Sequence, residues 1–253
     1  MEILKLDNVI KIYGKNTEAV SAVAGISFSV QRSEFVAVMG ASGSGKTTLL
    51  NCIATVDNVT AGSIFVDGFD ITKMNEKVLA DYRKEKLGFI FQEYNLLDTL
   101  TVHENISLVL ALLGEKPAII DDKVENVLTM FDIVPLKNKF PFEISGGERQ
   151  RTACARAIIS NPSLIIADEP TGALDSKNSK RLMQLLQKMN RHSGSTILAV
   201  THDAKVASYA TRVLFLKDGK LYNELYKGEK SDEQFFKDIV DVTAMQGGER
   251  YDD

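Results

Sequence analysis

The apolar run Phe35-Val36-Ala37-Val38-Met39 leads into Gly40-Ala41-Ser42-Gly43-Ser44-Gly45-Lys46-Thr47-Thr48 and then into the helix-like Leu49 to Ala54. A buried strand, a glycine-rich loop and a helix start, in that order, are the context in which G-x-x-x-x-G-K-T forms a phosphate-binding loop. Such a loop works only between a core strand and a helix, so it points to an α/β fold with a mostly parallel sheet. The glycines let the backbone of Gly40, Ala41, Ser42, Gly43, Ser44 and Gly45 wrap closely around phosphate, with N–H groups inward and the helix dipole behind them. Lys46 is expected to bridge the β- and γ-phosphates, the Thr47 hydroxyl to ligate Mg²⁺, and Thr48 to reach the α-phosphate.

The 253 residues suffice for one sizeable core or two closely joined subdomains. Thirty Lys+Arg against 34 Asp+Glu leave a net charge of -4. No strong basic field exists to capture nucleic acid, so no such partner is expected. Cys52 and Cys154 lack metal-ligand spacing and fall in helix-like segments, which predicts reduced structural thiols in an intracellular protein. Met1 runs straight into strand-like sequence, and no window approaches the roughly 18 apolar residues of a membrane-spanning helix. Any role at a membrane must come through a partner.

Along the chain, Glu2 to Val9 and Ile26 to Val30 alternate apolar and polar residues, predicting half-buried strands of an antiparallel layer. Between them, Lys11-Ile12-Tyr13-Gly14-Lys15 is read as a loop whose Tyr13 ring can stack on a nucleobase. Helical spacing covers Glu76 to Lys86, and the apolar strand Gly88 to Phe91 ends in Gln92, where an amide oxygen can ligate Mg²⁺ or hold water. From Val102 the pattern turns helical, over His103–Leu113, Asp121–Phe131 and a third helix from Ser145. This predicts a helical subdomain, about 93–160, inserted in the sheet core. At Ser145-Gly146-Gly147-Glu148 a serine and two glycines open a helix, which predicts free N–H groups and a second anion site.

The strand Leu164 to Asp168 then delivers two adjacent carboxylates: Asp168 suits a Mg²⁺ shell and Glu169 suits a base for water attacking a γ-phosphate. Asp175 stands before a long helix, Ser176–Arg191, and the buried strand Ser195 to His202 ends in a single imidazole, which can hydrogen-bond the γ-phosphate and hold Glu169 and the water in line. Arg212–Lys217 and Lys220–Leu225 form a hairpin around Asp218-Gly219. Phe235, Phe236, Ile239, Val240 and Val242 recur at helical spacing in a tail expected to pack on its own domain, and Gly247 to Asp253 is expected to fray.

The ordered set resembles the ATP-binding subunits of ABC transporters over essentially the whole chain. Tyr13 matches the aromatic loop, Gly40 to Thr47 Walker A, Gln92 the Q-loop, Ser145-Gly146-Gly147 the signature, Leu164 to Asp168 Walker B with catalytic Glu169, Asp175 the D-loop and His202 the switch. In that family two subunits meet head to tail with each ATP between one P-loop and the other subunit's signature. The resemblance therefore implies a homodimer, with Ser145, Gly146, Gly147 and Glu148 binding ATP in trans and Asp175 communicating between copies. Two departures stand out: Glu148 replaces the commoner Gln, and Arg32-Ser33 replaces a glycine-containing turn.

Within the family, the stretches Gly40 to Asn51, Gly88 to Val102 and Ala167 to Ser176, with the tail phrases Tyr226-Lys227-Gly228-Glu229 and Phe235 to Ile239, resemble the macrolide-export and lipoprotein-release group. The nearest resemblance is to Bce-type ATPases of bacitracin and antimicrobial-peptide resistance. It implies ATP and Mg²⁺ as ligands, an ATPase pair on the cytoplasmic face of the cell membrane, a separate integral membrane permease, and a sensor histidine kinase reached through that permease. The expected layout is an ATPase domain over 1–228 followed by an amphipathic helix and tail over 229–253. Two alternatives stay open from sequence: a nucleic-acid-linked ATPase of repair or translation, and a regulatory ATP sensor with negligible turnover. The 53 positions from Gln92 to Ser145 leave no room for the long coiled coil of repair members.

Overall fold

The computed structural model describes residues 1–14 and 18–248. In β1 (Glu2–Tyr13), Ile3, Leu6 and Val9 are buried while Glu2, Lys5 and Asp7 face solvent, the pattern of a sheet with one wet face. It pairs antiparallel with β2 (Val20–Gln31), setting Leu6 opposite Phe28 and Val9 opposite Ile26. The predicted loop at Lys11–Tyr13 is instead strand, because Lys11 and Ile12 pair with Val23 and Ser21 of β2; Lys15 lies outside the described residues. Cross-strand partners distant in sequence override the local turn signal carried by Gly14.

The strand β3 (Phe35–Met39) is buried throughout and passes through the glycine-rich loop into α1 (Lys46–Ile53). Then come β4 (Ala61–Val66) and β5 (Phe69–Asp70), which complete a four-stranded sheet of order β2-β1-β4-β5. Next, α2 (Glu76–Lys86), N-capped by Asn75, runs straight into β6 (Leu87–Ile90). Three helices follow: α3 (Val102–Leu112), opened by a Thr101/Glu104 capping box, α4 (Pro117–Met130), and α5 (Gly146–Ile158). Helix α4 starts ahead of the predicted Asp121 because Pro117 fits a first helical position, where its missing N–H costs nothing.

The chain returns to the sheet with β7 (Leu164–Asp168), α6 (Ser176–Ser193), β8 (Ile197–Val200) and the short α7 (Ala204–Ala207). It closes with the hairpin β9 (Arg212–Lys217) and β10 (Lys220–Tyr226) and with α8 (Asp232–Gly248). The helix thus includes Gly247 and Gly248 of the stretch expected to fray, and 249–253 lie outside the described residues. The second sheet has six strands in the order β10-β9-β3-β8-β7-β6, parallel except for the antiparallel β10.

Each central strand is apolar on both faces and feeds two cores. Phe35 and Ala37, Ile165 and Ala167, Ile197 and Ala199, and Val213 and Phe215 join the core shared with α3, α4, α5, α6 and α8. Val36 and Val38, Leu164 and Ile166, Leu198 and Val200, and Leu214 and Leu216 join the other, with α1 and the antiparallel sheet. The side chains of Phe235 and Ile239 seat α8 in the first of these cores, each burial worth about 1.5–3 kcal/mol. Ser33, standing where a glycine is usual, takes φ 61°, and its hydroxyl donates to the Gly194 carbonyl at 2.9 Å. Among the described residues no helix is long and apolar enough to cross a membrane.

Candidate active site

Strands β3, β8 and β7 are adjacent, so the segments leaving their carboxyl ends converge. They deliver the glycine-rich loop, Glu169 and His202 to one cavity of about 490 Å³, lined by Ala22, Ser42, Gly43, Gly45, Lys46, Thr47, Thr48, Glu169 and His202, with Asp168 next to Glu169 but outside that lining. Gly45 takes φ 95°, and a Cβ there would stand 2.1 Å from the Ala22 carbonyl oxygen, so the approach of loop to β2 requires glycine. Helix α1 starts at Gly45 with no side-chain cap and no acidic residue in its first turn, which leaves its first N–H groups facing the cavity without a carboxylate. This is an electropositive helix start.

Lys46 is buried, and its ammonium donates to the carbonyls of Gly40 (2.9 Å) and Ala41 (2.8 Å). Burial holds its pKa below the ordinary lysine value, against the opposing pull of Glu169 and Asp168. A charge so placed gains when an anion enters. Asp168 is shifted the other way: burial raises its pKa, the Glu169 charge adds to this, and Lys46 opposes it. Its Oδ1 is buried with no hydrogen-bond partner.

Glu169 follows β7 at φ 45°, a strained conformation for a non-glycine residue. Its backbone N–H donates to the Val200 carbonyl at 2.9 Å. The side chain is 17% exposed and that of His202 is 72% exposed. Glu169 Oε1 accepts from the His202 N–H at 3.1 Å and lies 2.7 Å from His202 Nδ1, while Thr201 Oγ1 donates to Oε2 at 3.1 Å. An ionised carboxylate accepts only, so Nδ1 carries a proton and Nε2 is left toward solvent.

The other predicted residues sit around this centre. Tyr13 is exposed, its hydroxyl donating to Asp57 Oδ2 at 2.6 Å, with the Lys11 ammonium 4.8 Å from its ring centroid and Thr48 a further neighbour. Gln92 is exposed and lies along Gly172, where a Cβ would come within 3.0 Å of its Nε2. Neither lines the cavity. Asp175 caps α6, accepting from the N–H groups of Lys177 and Asn178 at 2.9 Å each.

Ser145, Gly146, Gly147 and Glu148 open α5 away from the cavity, with Gly147 packed on the Asn178 side chain. The predicted set of free N–H groups there is reduced by a capping box. Glu148 Oε2 accepts from Ser145 N (2.8 Å) and Ser145 Oγ (2.7 Å), and these bonds hold its pKa below the usual carboxylate range. Ser145 Oγ in turn accepts from Glu148 N at 3.4 Å. The sequence did not single out Thr201, Ala22 or Asp57. Thr201 was legible only as a hydroxyl at the end of an apolar run, and Asp57 carried no signal because Tyr13 is 44 residues away.

An uncapped P-loop helix, a desolvated lysine and a carboxylate pair on neighbouring strand ends define a P-loop nucleoside-triphosphate hydrolase. Residues 23–172 match the ABC transporter family. The chain is 49% identical over 252 residues, covering 100% of both, to the bacitracin export ATP-binding protein BceA of Halalkalibacterium halodurans. It is 42% identical over 232 residues to the macrolide export ATP-binding/permease protein MacB of Campylobacter jejuni, covering 90% of this chain and 35% of that one. Among solved structures, the dimeric post-hydrolysis ATP-binding cassette MJ0796 of Methanocaldococcus jannaschii, bound to ADP and Pi, superposes with a TM-score of 0.82. That match is 38% identical and covers 88% of this chain and 98% of the other. The chain belongs to the ABC transporter family as an ATP-binding subunit, and its reaction is ATP hydrolysis.

Proposed function

We propose that two copies of this chain bind two ATP molecules between them at the cytoplasmic face of the cell membrane. Their closure and hydrolysis drive a separate integral membrane permease acting on bacitracin-like peptide antibiotics. The observation that carries the ATPase reading is the cavity shared by the uncapped α1, the desolvated Lys46 and the clamped Glu169. Gly40 to Gly45, Lys46, Thr47 and Thr48 hold the triphosphate and Tyr13 stacks on the adenine. Glu169 takes the proton of a water whose oxygen bonds to the γ-phosphorus as the bond from γ-phosphorus to ADP breaks. His202 orients Glu169. A base so held contributes about 10²–10⁴-fold.

The residues present suit Mg²⁺: the buried Asp168 Oδ1 has no partner, and Thr47 brings a hydroxyl to the cavity. Thr47, Asp168 and Gln92 would hold the ion, which neutralises charge on the phosphates. The signature at Ser145–Glu148 does not line its own chain's cavity, which supports its use by a second copy, with Asp175 beside it on α6 as the contact between copies. For the permease, a groove between α2, β6, α3 and α5 offers an apolar floor of Phe89, Phe91, Val109 and Leu112 under Arg83, Lys84 and Arg156. An amphipathic cytoplasmic helix with acidic ends fits it. The similarity to BceA, a bacitracin export ATP-binding protein, supports the antibiotic assignment. The proposal extends to a sensor histidine kinase reached through the permease.

Glu169→Gln should abolish phosphate release and give an ATP-trapped dimer on size exclusion; wild-type turnover in that variant would remove the assignment. Deleting the chain in its host should sensitise cells to bacitracin, and unchanged susceptibility would end the antibiotic reading alone.

A further inference from the structure

We infer that Thr201 is a positioning residue for hydrolysis, setting the orientation of the Glu169 carboxylate through its buried hydroxyl. The inference rests on Glu169 being the base.

Thr201 is fully buried and its backbone is fixed, its N–H donating to the Val38 carbonyl of β3 at 3.1 Å. The hydroxyl therefore stands in register with the strand that carries the phosphate loop. A threonine hydroxyl has one proton and two lone pairs. The Asp203 N–H donates to Thr201 Oγ1 at 3.1 Å, which occupies a lone pair, and the proton points to Glu169 Oε2 at 3.1 Å. On the other carboxylate oxygen, the His202 N–H and Nδ1 lie at 3.1 and 2.7 Å. Both oxygens are thus held by one short segment, Thr201–His202, and the carboxylate cannot rotate about its own bond without losing a donor.

The contact from His202 is made by a side chain at the surface, whereas the contact from Thr201 is made inside the core. An exposed imidazole can swing out during a nucleotide cycle. The buried hydroxyl cannot, so Thr201 keeps the base aimed whichever way the switch stands. Glu169 also sits on a strained backbone at φ 45°, where side-chain restraint has more to hold.

The test is steady-state ATP hydrolysis by the full chain, with kcat and KM read separately, for Thr201→Val, Thr201→Ser and Glu169→Gln. Thr201→Val should lower kcat about tenfold or more with KM for ATP unchanged, because Thr201 does not line the cavity. Thr201→Ser keeps the hydroxyl and should restore kcat. If Thr201→Val folds poorly, shown by lost binding of a fluorescent ATP analogue, Thr201→Ala supplies the same deletion without the added methyl. The inference is overturned if Thr201→Val or Thr201→Ala keeps the parent kcat while Glu169→Gln is inactive, or if the loss falls on KM and not on kcat. It is equally overturned if Thr201→Ser is as slow as the hydroxyl-free variants. Turnover in Glu169→Gln would instead remove the base on which the inference stands.

Discussion

Glu148→Gln tests how the signature helix is held between uses. The Ser145 hydroxyl donates to the Glu148 carboxylate at 2.7 Å and the Ser145 N–H donates at 2.8 Å. In the proposed pair, the hydroxyl must leave that carboxylate to serve a phosphate of the partner copy's ATP. A hydrogen bond to a charged acceptor is worth about 1.5–3 kcal/mol and one to a neutral acceptor about 0.5–1.5 kcal/mol. Glutamine keeps the capping-box geometry but lowers the cost of release by about 1 kcal/mol per signature. A symmetric pair carries two signatures, so closure gains about 2 kcal/mol, or about thirtyfold in dimer affinity. Removing a carboxylate beside the incoming phosphate works in the same direction. The isolated chain loses about 0.5 kcal/mol, since an acidic first turn favours the helix dipole. The assay is sedimentation velocity with ATP in a Glu169→Gln background, which stops hydrolysis. Dimer affinity equal to or weaker than that of the parent would refute the idea that Glu148 restrains closure.

Lys46→Ala should weaken ATP binding at least tenfold and abolish turnover, because a charge-assisted contact to phosphate is worth roughly 1.5–3 kcal/mol; isothermal titration with unchanged affinity would count against the P-loop role. Asp232→Ala should destabilise the chain by about 2 kcal/mol in urea, because Lys227, buried beside Asp232 and donating to the Ser208 carbonyl at 2.7 Å, loses its carboxylate partner. The same pair sets a pH dependence. Burial raises the Asp232 carboxyl pKa, but hydrogen bonding and charge from Lys227 outweigh it and leave the group below its ordinary value. The contribution is then full above about pH 4 and lost on acidification, and the Ala variant should show a shallower acid limb in its melting temperature.

Much of the site was legible because its chemistry is local. The P-loop runs continuously from Gly40 to Thr48, and Asp168-Glu169 and His202 each close an apolar run, so strand-end logic found them without coordinates. Tyr13 was read into a loop, since Gly14 signals a turn, whereas pairing of Lys11, Ile12 and Tyr13 with Val23, Ser21 and Val20 extends the strand through it. The opening of α5 was found but taken as open, because the reciprocal bonds of Ser145 and Glu148 depend on a rotamer that spacing alone does not specify.

By itself, then, the amino-acid order determined most of the segments that become strands and helices, the end of β1 at Lys11–Tyr13 and the start of α4 being exceptions, because backbone preference and burial periodicity act over a few neighbours. Only the folded chain decided that β3, β8 and β7 lie side by side, that Thr201 and His202 grip a carboxylate 32 and 33 residues earlier, and that Asp57 holds Tyr13. Those contacts depend on how the strands order themselves in the sheet, a choice made by packing two apolar faces at once, which no short window of sequence contains.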